Sequence, residues 1–170
     1  MSCIEYDIDY QIIELGRFVV KDFCIDVFRT SHDAPDSVGY VLYGDGKSFV
    51  YVTDTGYINE KYFSMLSNAD CYVMESNHDI EMLSNGKYPF HLRQRILSDK
   101  GHISNYDCSR YLSLLSGDKT KCVVLAHLSF ENNTPDLAYQ TLIDRLTVDG
   151  KSFDKIIIAK QDEMTELVEI

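Results

Sequence analysis

The sequence predicts an α/β fold with helices packed on a mixed sheet, and three observations carry that prediction. The first third consists of short β-branched and aromatic runs separated by turn signals. From about Asn59 onward, helical patterns alternate with short, continuously apolar runs of the kind that form strands buried on both faces. No repeat, low-complexity tract or linker interrupts the chain, so residues 1–170 read as one unit.

QIIEL, FVVKDF and CIDVFRT are the first three predicted strands. After a polar loop, VGYVLY and SFVYVTD flank Gly-Asp-Gly-Lys, a sequence suited to a tight hairpin turn. NEKYFSMLSNA follows as a helix and CYVMES as a buried strand. FHLRQRILSD and NYDCSRYLSLLSG are helices, and KCVVLAHLS is a strand. TPDLAYQTLIDRL is a helix capped by Thr134 with Pro135 in its first turn, and KIIIAK closes the sheet.

With 45% hydrophobic residues in 170, including twelve Tyr and eight Phe, the chain can build a real core and is not a disordered segment. No apolar run is long enough to cross a bilayer, and the opening MSCIEYDIDY is acidic, unlike a signal peptide. The expectation is a cytoplasmic protein without membrane association. Its five cysteines are scattered singly with no CxxC pair, which points to free thiols in a reducing compartment. Cys71 and Cys122 lie inside apolar strand-like runs, where small buried thiols belong.

A net charge of −11 argues against broad adhesion to nucleic acid, but not against phosphate binding through metal ions. Residues 84–105 depart from the acidic background, with Lys87, Arg93, Arg95 and Lys100 against the single Asp99. Composition alone reads this stretch as a solvated helix face.

The five histidines are His32, His78, His91, His102 and His127. His32 follows CIDVFRTS, His127 ends KCVVLA, and Asp54 ends SFVYVTD. Residues placed just past strand ends converge at one edge of a sheet, where α/β proteins place their sites. Imidazole and carboxylate are ligands for zinc, manganese or iron. Taken singly, each has a bland reading: a hydrogen-bonded structural histidine, or an aspartate forming a turn before Thr-Gly.

SHDAPDSVGY, VYVTDTGYI, VMESNHDIEML, YPFHLRQRILSDKGHISN and VLAHLSFENNTPDLA occur in that order. Together they resemble the metallo-β-lactamase superfamily, most of all its YycJ/WalJ-like branch, with a more distant similarity to ribonuclease Z. The resemblance runs from about Phe18 to the terminal TELVEI. It implies an αββα sandwich and two-metal hydrolysis, with zinc or manganese as the ions. His32 matches a ligand of one metal, Asp54 the aspartate that bridges both, and His127 a ligand of the second. Glu75 and His102 match a glutamate–histidine pair that assists the leaving group. Asn77 and His78, in the branch-specific SNHD stretch, are expected near the substrate, while His91 reads as a surface residue. Asn132 and Asn133 either shape the pocket or form the loop before the last helix. In this light Arg93, Arg95 and Lys100 are candidates for phosphate contact, although the two arginines cannot both face the cleft from one helical turn.

One family motif is absent. No HxHxDH sequence occurs, and His32 already matches a later motif. The resemblance therefore implies the C-terminal portion of the domain, short of an N-terminal segment of roughly 90 residues. It also implies a chain comprising one sheet and the remainder of the other, with an exposed apolar sheet face that invites homo-oligomers. A three-residue ligand set divided between two metals predicts weak or no metal binding and little activity for this chain alone. The implied function is a phosphodiesterase or nuclease acting on DNA or RNA. Two other readings are a hydrolase of small esters, lactones or lactams, and a non-catalytic fragment serving as an interaction protein.

Overall fold

In a computed structural model that describes residues 12–169, the strands form a single mixed sheet. The strands are β1 (Gly16–Val20), β2 (Phe23–Arg29), β3 (Val38–Gly44), β4 (Lys47–Val52), β5 (Cys71–Glu75), β6 (Cys122–Ala126) and β7 (Lys155–Ile158). They lie in sequence order across the sheet. β1 to β4 pair antiparallel as a meander, and β4 to β7 pair parallel. The predicted mixed sheet is thus present. The expected remainder of a second sheet is not, because all the described strands belong to the same one.

The β3–β4 hairpin closes on Asp45 and Gly46, both with positive φ (53° and 72°), the backbone that a two-residue turn of matching twist requires. FVVKDF is not one strand. Phe18–Val20 ends β1, Lys21 turns with φ 51°, and Phe23 begins β2. Gln11 lies outside the described residues, and Ile12–Leu15 are irregular rather than a strand.

The helices are α1 (Phe63–Leu66), α2 (Ile80–Asn85), α3 (Phe90–Ile96), α4 (Asn105–Leu115) and α5 (Pro135–Val148). NEKYFSMLSNA yields only a 3-10 turn (Glu60–Tyr62) and the single turn of α1, because Ser67 is extended and Asn68 is left-handed at φ 55°. The unpredicted α2 starts where the Asp79 carboxylate accepts the Met82 amide. Ser104 and Thr134 cap α4 and α5 in the same way.

One face of the sheet and the helices form the main core. Phe28, Val41, Val50, Tyr72, Met74, Val123 and Leu125 meet Leu112, Leu115, Ala138, Leu142 and Leu146. Full burial of one such leucine contributes about 1.5–3 kcal/mol. On the other face Cys71, Cys122 and Val124 are buried, with the partly buried Ile157 and Val168 packed against them, under the segment that runs through Thr165–Val168. Toward β1 and β2 that face is open among the described residues, with Val20 and Phe23 about half exposed (46% and 52%). Cys24, Cys71, Cys108 and Cys122 are free thiols, and Cys3 lies outside the described residues. Among the described residues no helix is long and apolar enough to cross a membrane.

Candidate metal centre

Strand direction brings the chemistry together. β3 is antiparallel to both β2 and β4, and β5 and β6 run parallel to β4, so β2, β4, β5 and β6 all end at one edge. His32, Asp54, Glu75 and His127 stand at or just beyond those four ends. His102 joins them from the loop between α3 and α4.

Asp54 occupies the middle. Its Oδ1 lies 3.7 Å from His32 Nε2 and 3.7 Å from His127 Nε2. The imidazole of His102 stands between the other two rings, with centroids 4.8 Å from His32 and 5.2 Å from His127. Both Asp54 and His127 have positive φ (55° and 57°), a costly backbone for residues with a Cβ. Such conformations persist where surrounding structure fixes them, and they cluster at functional sites.

Glu75 is the buried anchor, with a fully inaccessible side chain. Its Oε1 accepts from His102 Nδ1 at 2.6 Å and from His127 Nδ1 at 2.8 Å, and its Oε2 accepts the Thr55 amide at 3.0 Å. Burial pushes the Glu75 carboxyl up, but the hydrogen bonds from His102 and His127 outweigh it and hold the group below the ordinary glutamate range. The bond to Glu75 raises the His127 pKa against the opposing effect of burial. A carboxylate only accepts, so Nδ1 of each ring carries the proton and Nε2 of the neutral ring is left as the free donor atom.

His32 is fixed differently. Its Nδ1 meets the Gly101 carbonyl at 3.0 Å, which leaves Nε2 toward Asp54. The loop carrying Gly101 is tightly seated, since a Cβ on Gly101 would come within 2.1 Å of the Ile96 carbonyl oxygen. Asp33, overlooked in the sequence although it adjoins His32, has Oδ1 3.5 Å from His32 Nε2. Arg95 grips the same carboxylate through two hydrogen bonds, one of 2.8 Å, and depresses its pKa to about 2.

The structure revises several expected contacts. Arg95 is engaged by Asp33, and one nitrogen of Arg93 donates to the Ser84 carbonyl. Lys100 is exposed and forms no ion pair among the described residues. His78 is 1% exposed and Asn77 8%, which places both behind the site rather than against substrate. His91 is exposed, while Asn132 and Asn133 are buried.

The donor set suits divalent cations. His32, Asp54 and His102 present ligand atoms within 4.8 Å of one another. One carboxylate oxygen equidistant from two imidazole nitrogens can serve an ion on either side. Glu75, His102 and His127 are equally close, but their proximity is that of a hydrogen-bonded network in which the carboxylate orients two rings.

Comparison with known proteins places the chain in a family. The family described as a beta-lactamase superfamily domain matches residues 6–128. The exodeoxyribonuclease WalJ of Streptococcus pneumoniae serotype 2 is 41% identical over 167 residues, covering 94% of this chain and 61% of that protein. The exodeoxyribonuclease YycJ of Bacillus anthracis is 37% identical over 129 residues, covering 76% of this chain and 49% of that protein. The chain thus spans 61% of the one relative's length and 49% of the other's. Two solved structures share its fold. The metallo-beta-lactamase fold protein YhfI from Bacillus subtilis superposes with a TM-score of 0.61 at 19% identity, over 85% of this chain and 50% of that one. Zn2+-bound PqqB from Methylobacterium extorquens gives 0.56 at 14%, over 92% and 55%.

Proposed function

This chain belongs to the beta-lactamase superfamily domain family, and from that premise we propose that it carries part of the centre of a metal-dependent phosphodiesterase acting on DNA. The observation that carries the reading is Asp54 Oδ1, set 3.7 Å from a free imidazole nitrogen on each side. The preference for DNA rests on the relatives, which are named exodeoxyribonucleases.

His32, Asp54 and His127 would hold two divalent ions, zinc or manganese, which when bound would lower the pKa of water and neutralise phosphoryl oxygens. Glu75 holds two imidazoles in one tautomer. His102, its Nδ1 held by Glu75, presents Nε2 to the leaving oxygen and in its imidazolium form would give up the proton from there. Lys100, on the loop beside Gly101 and without an ion pair among the described residues, supplies a cation for a phosphate. His32, Asp54 and His127 give at most two protein ligands per ion. Catalytic zinc ordinarily has three protein ligands, so this chain alone binds metal weakly and turns over little or nothing. The open apolar face at β1 and β2 is the surface through which copies would associate.

The test compares three substrates: bis(p-nitrophenyl) phosphate, end-labelled DNA and a β-lactam. The protein is this chain joined to a segment bearing HxHxDH, with manganese or zinc supplied. Hydrolysis of the phosphodiester and DNA, abolished in Asp54→Ala and absent on the lactam, supports the proposal. Turnover of the lactam or a simple ester alone would favour a small-molecule hydrolase, and no turnover of any substrate would favour a non-catalytic role. Neither alternative gains support from the named relatives.

A further inference from the structure

Asn77 is buried, and its side chain reaches the segment that bears a metal ligand. Its Nδ2 donates to the His127 carbonyl at 3.0 Å, at the residue whose φ is 57°. Its main chain ties in two more segments. The Asn77 amide donates to the Ile103 carbonyl at 3.1 Å, and its carbonyl accepts the Ser129 amide at 2.7 Å. Asn77 therefore sits between the stretch after β5, the loop around His102 and the turn after β6.

A second layer fixes Asn77 itself. Asn133 Nδ2 donates to the Ser76 carbonyl at 2.8 Å and to the Asn77 carbonyl at 3.1 Å. Asn133 and Asn105 exchange amide bonds of 2.8 and 2.9 Å, and Ser76 Oγ donates to Asn105 Oδ1 at 2.7 Å. Asn77, Asn105, Asn133 and Ser76 are all buried. A buried network with its partners in place rigidifies what it touches.

The left-handed backbone at His127 is unfavourable by itself, because the Cβ crowds the following carbonyl. It persists only when its surroundings over-determine it. The ring is fixed at Nδ1 by Glu75, but that bond does not fix the peptide from which the side chain springs. The Asn77 amide does, through the His127 carbonyl.

We propose that Asn77 is a positioning residue for the metal centre, its side-chain amide locking the His127 backbone in the conformation that directs Nε2 at Asp54. This rests on the reading of His32, Asp54 and His127 as metal ligands. Partners one shell beyond the ligands typically change metal affinity about 10–100-fold.

The test uses the chain as it stands, titrated with Co2+ and followed by its visible absorption, which reports ligand geometry. Amide hydrogen exchange is read in parallel, and thermal melts confirm folding. Asn77→Ala is expected to bind Co2+ about tenfold or more weakly than the unaltered chain, with a changed spectrum and faster exchange at Leu128 and Ser129. Asn132→Ala, buried in the same loop without a bond to His127, should bind as the unaltered chain does. If Asn77→Ala does not fold, Asn77→Asp, which keeps the shape and removes the donor, takes its place. Unchanged Co2+ affinity and spectrum in the folded variant would overturn the proposal. Equal Co2+ binding by the unaltered chain and His127→Ala would overturn the metal-centre reading instead. In that event unchanged exchange at Leu128 and Ser129 would overturn the positioning role as well, and faster exchange would uphold it.

Discussion

His78 is a buried imidazole with neither ring nitrogen bonded among the described residues, and that makes the fold sensitive to mild acid. Burial pushes its pKa down to about 4, an effect that nearby Glu75, Asp107 and Asp79 only partly offset and to which His102 adds. In the unfolded chain a histidine titrates near 6.5. Between these values the unfolded state binds the proton and the folded state does not. The depressed pKa therefore costs nothing above about pH 6.5, and stability falls as the pH drops toward 4. A shift from 6.5 to about 4 corresponds to about 3 kcal/mol in full, of which about 2 kcal/mol is lost by pH 5. His78→Phe fills a similar volume, removes two unbonded nitrogens and cannot protonate. Urea unfolding of both proteins at pH 7.5 and pH 5.0 measures the difference. His127 and the carboxylates titrate in both proteins, so they cancel when the two losses are subtracted. The variant should lose about 2 kcal/mol less than the parent between the two pH values. Equal losses would refute the assignment of a buried neutral His78.

Glu75→Gln removes the charge that raises His127, so His127 should release its proton at lower pH, as read by NMR of the imidazole. With Glu75 present, the pairing favours the fold fully below about pH 6.5, and the benefit disappears as the pH rises through the elevated folded pKa of His127. An unchanged titration would show that the Glu75–His127 bond is not formed. Gly101→Ala forces a Cβ against the carbonyl oxygens of Ile96 and Arg95, neither of which can move freely. A loss of about 1–3 kcal/mol in chemical denaturation is expected, whereas a neutral substitution would contradict the tight seating of the loop that holds His32. Arg95→Ala should raise the Asp33 carboxyl from about 2 toward 3.8, measurable by carboxyl NMR, and persistence near 2 would mean another group holds it.

Local sequence signals carried much of the fold. The Gly-Asp-Gly-Lys turn, the Thr134-Pro135 helix start and the continuous apolar runs at CYVME and CVVLA specify their own conformations, and each is found where those signals place it. Propensity was misleading where a turn was hidden by apolar neighbours. FVVKDF reads as one strand although Lys21 reverses the chain, and NEKYFSMLSNA reads as a helix although Asn68 stops it after one turn. The position of His32, Asp54 and His127 past strand ends was visible without a structure. Their partnerships were not, because they join residues far apart in the chain. Glu75 reaching His127 across 52 positions, and Arg95 clasping Asp33 across 62, leave no periodicity to read. Asn77 and His78, expected near the substrate from the SNHD stretch, are instead buried in the interior.

The most direct test of the account is calorimetric titration of the chain with zinc, alongside His32→Ala, Asp54→Ala and His127→Ala. The account predicts weak binding that disappears in Asp54→Ala and falls in each histidine variant, since one carboxylate oxygen serves both imidazoles. Zinc bound equally by the chain and all three variants would contradict it.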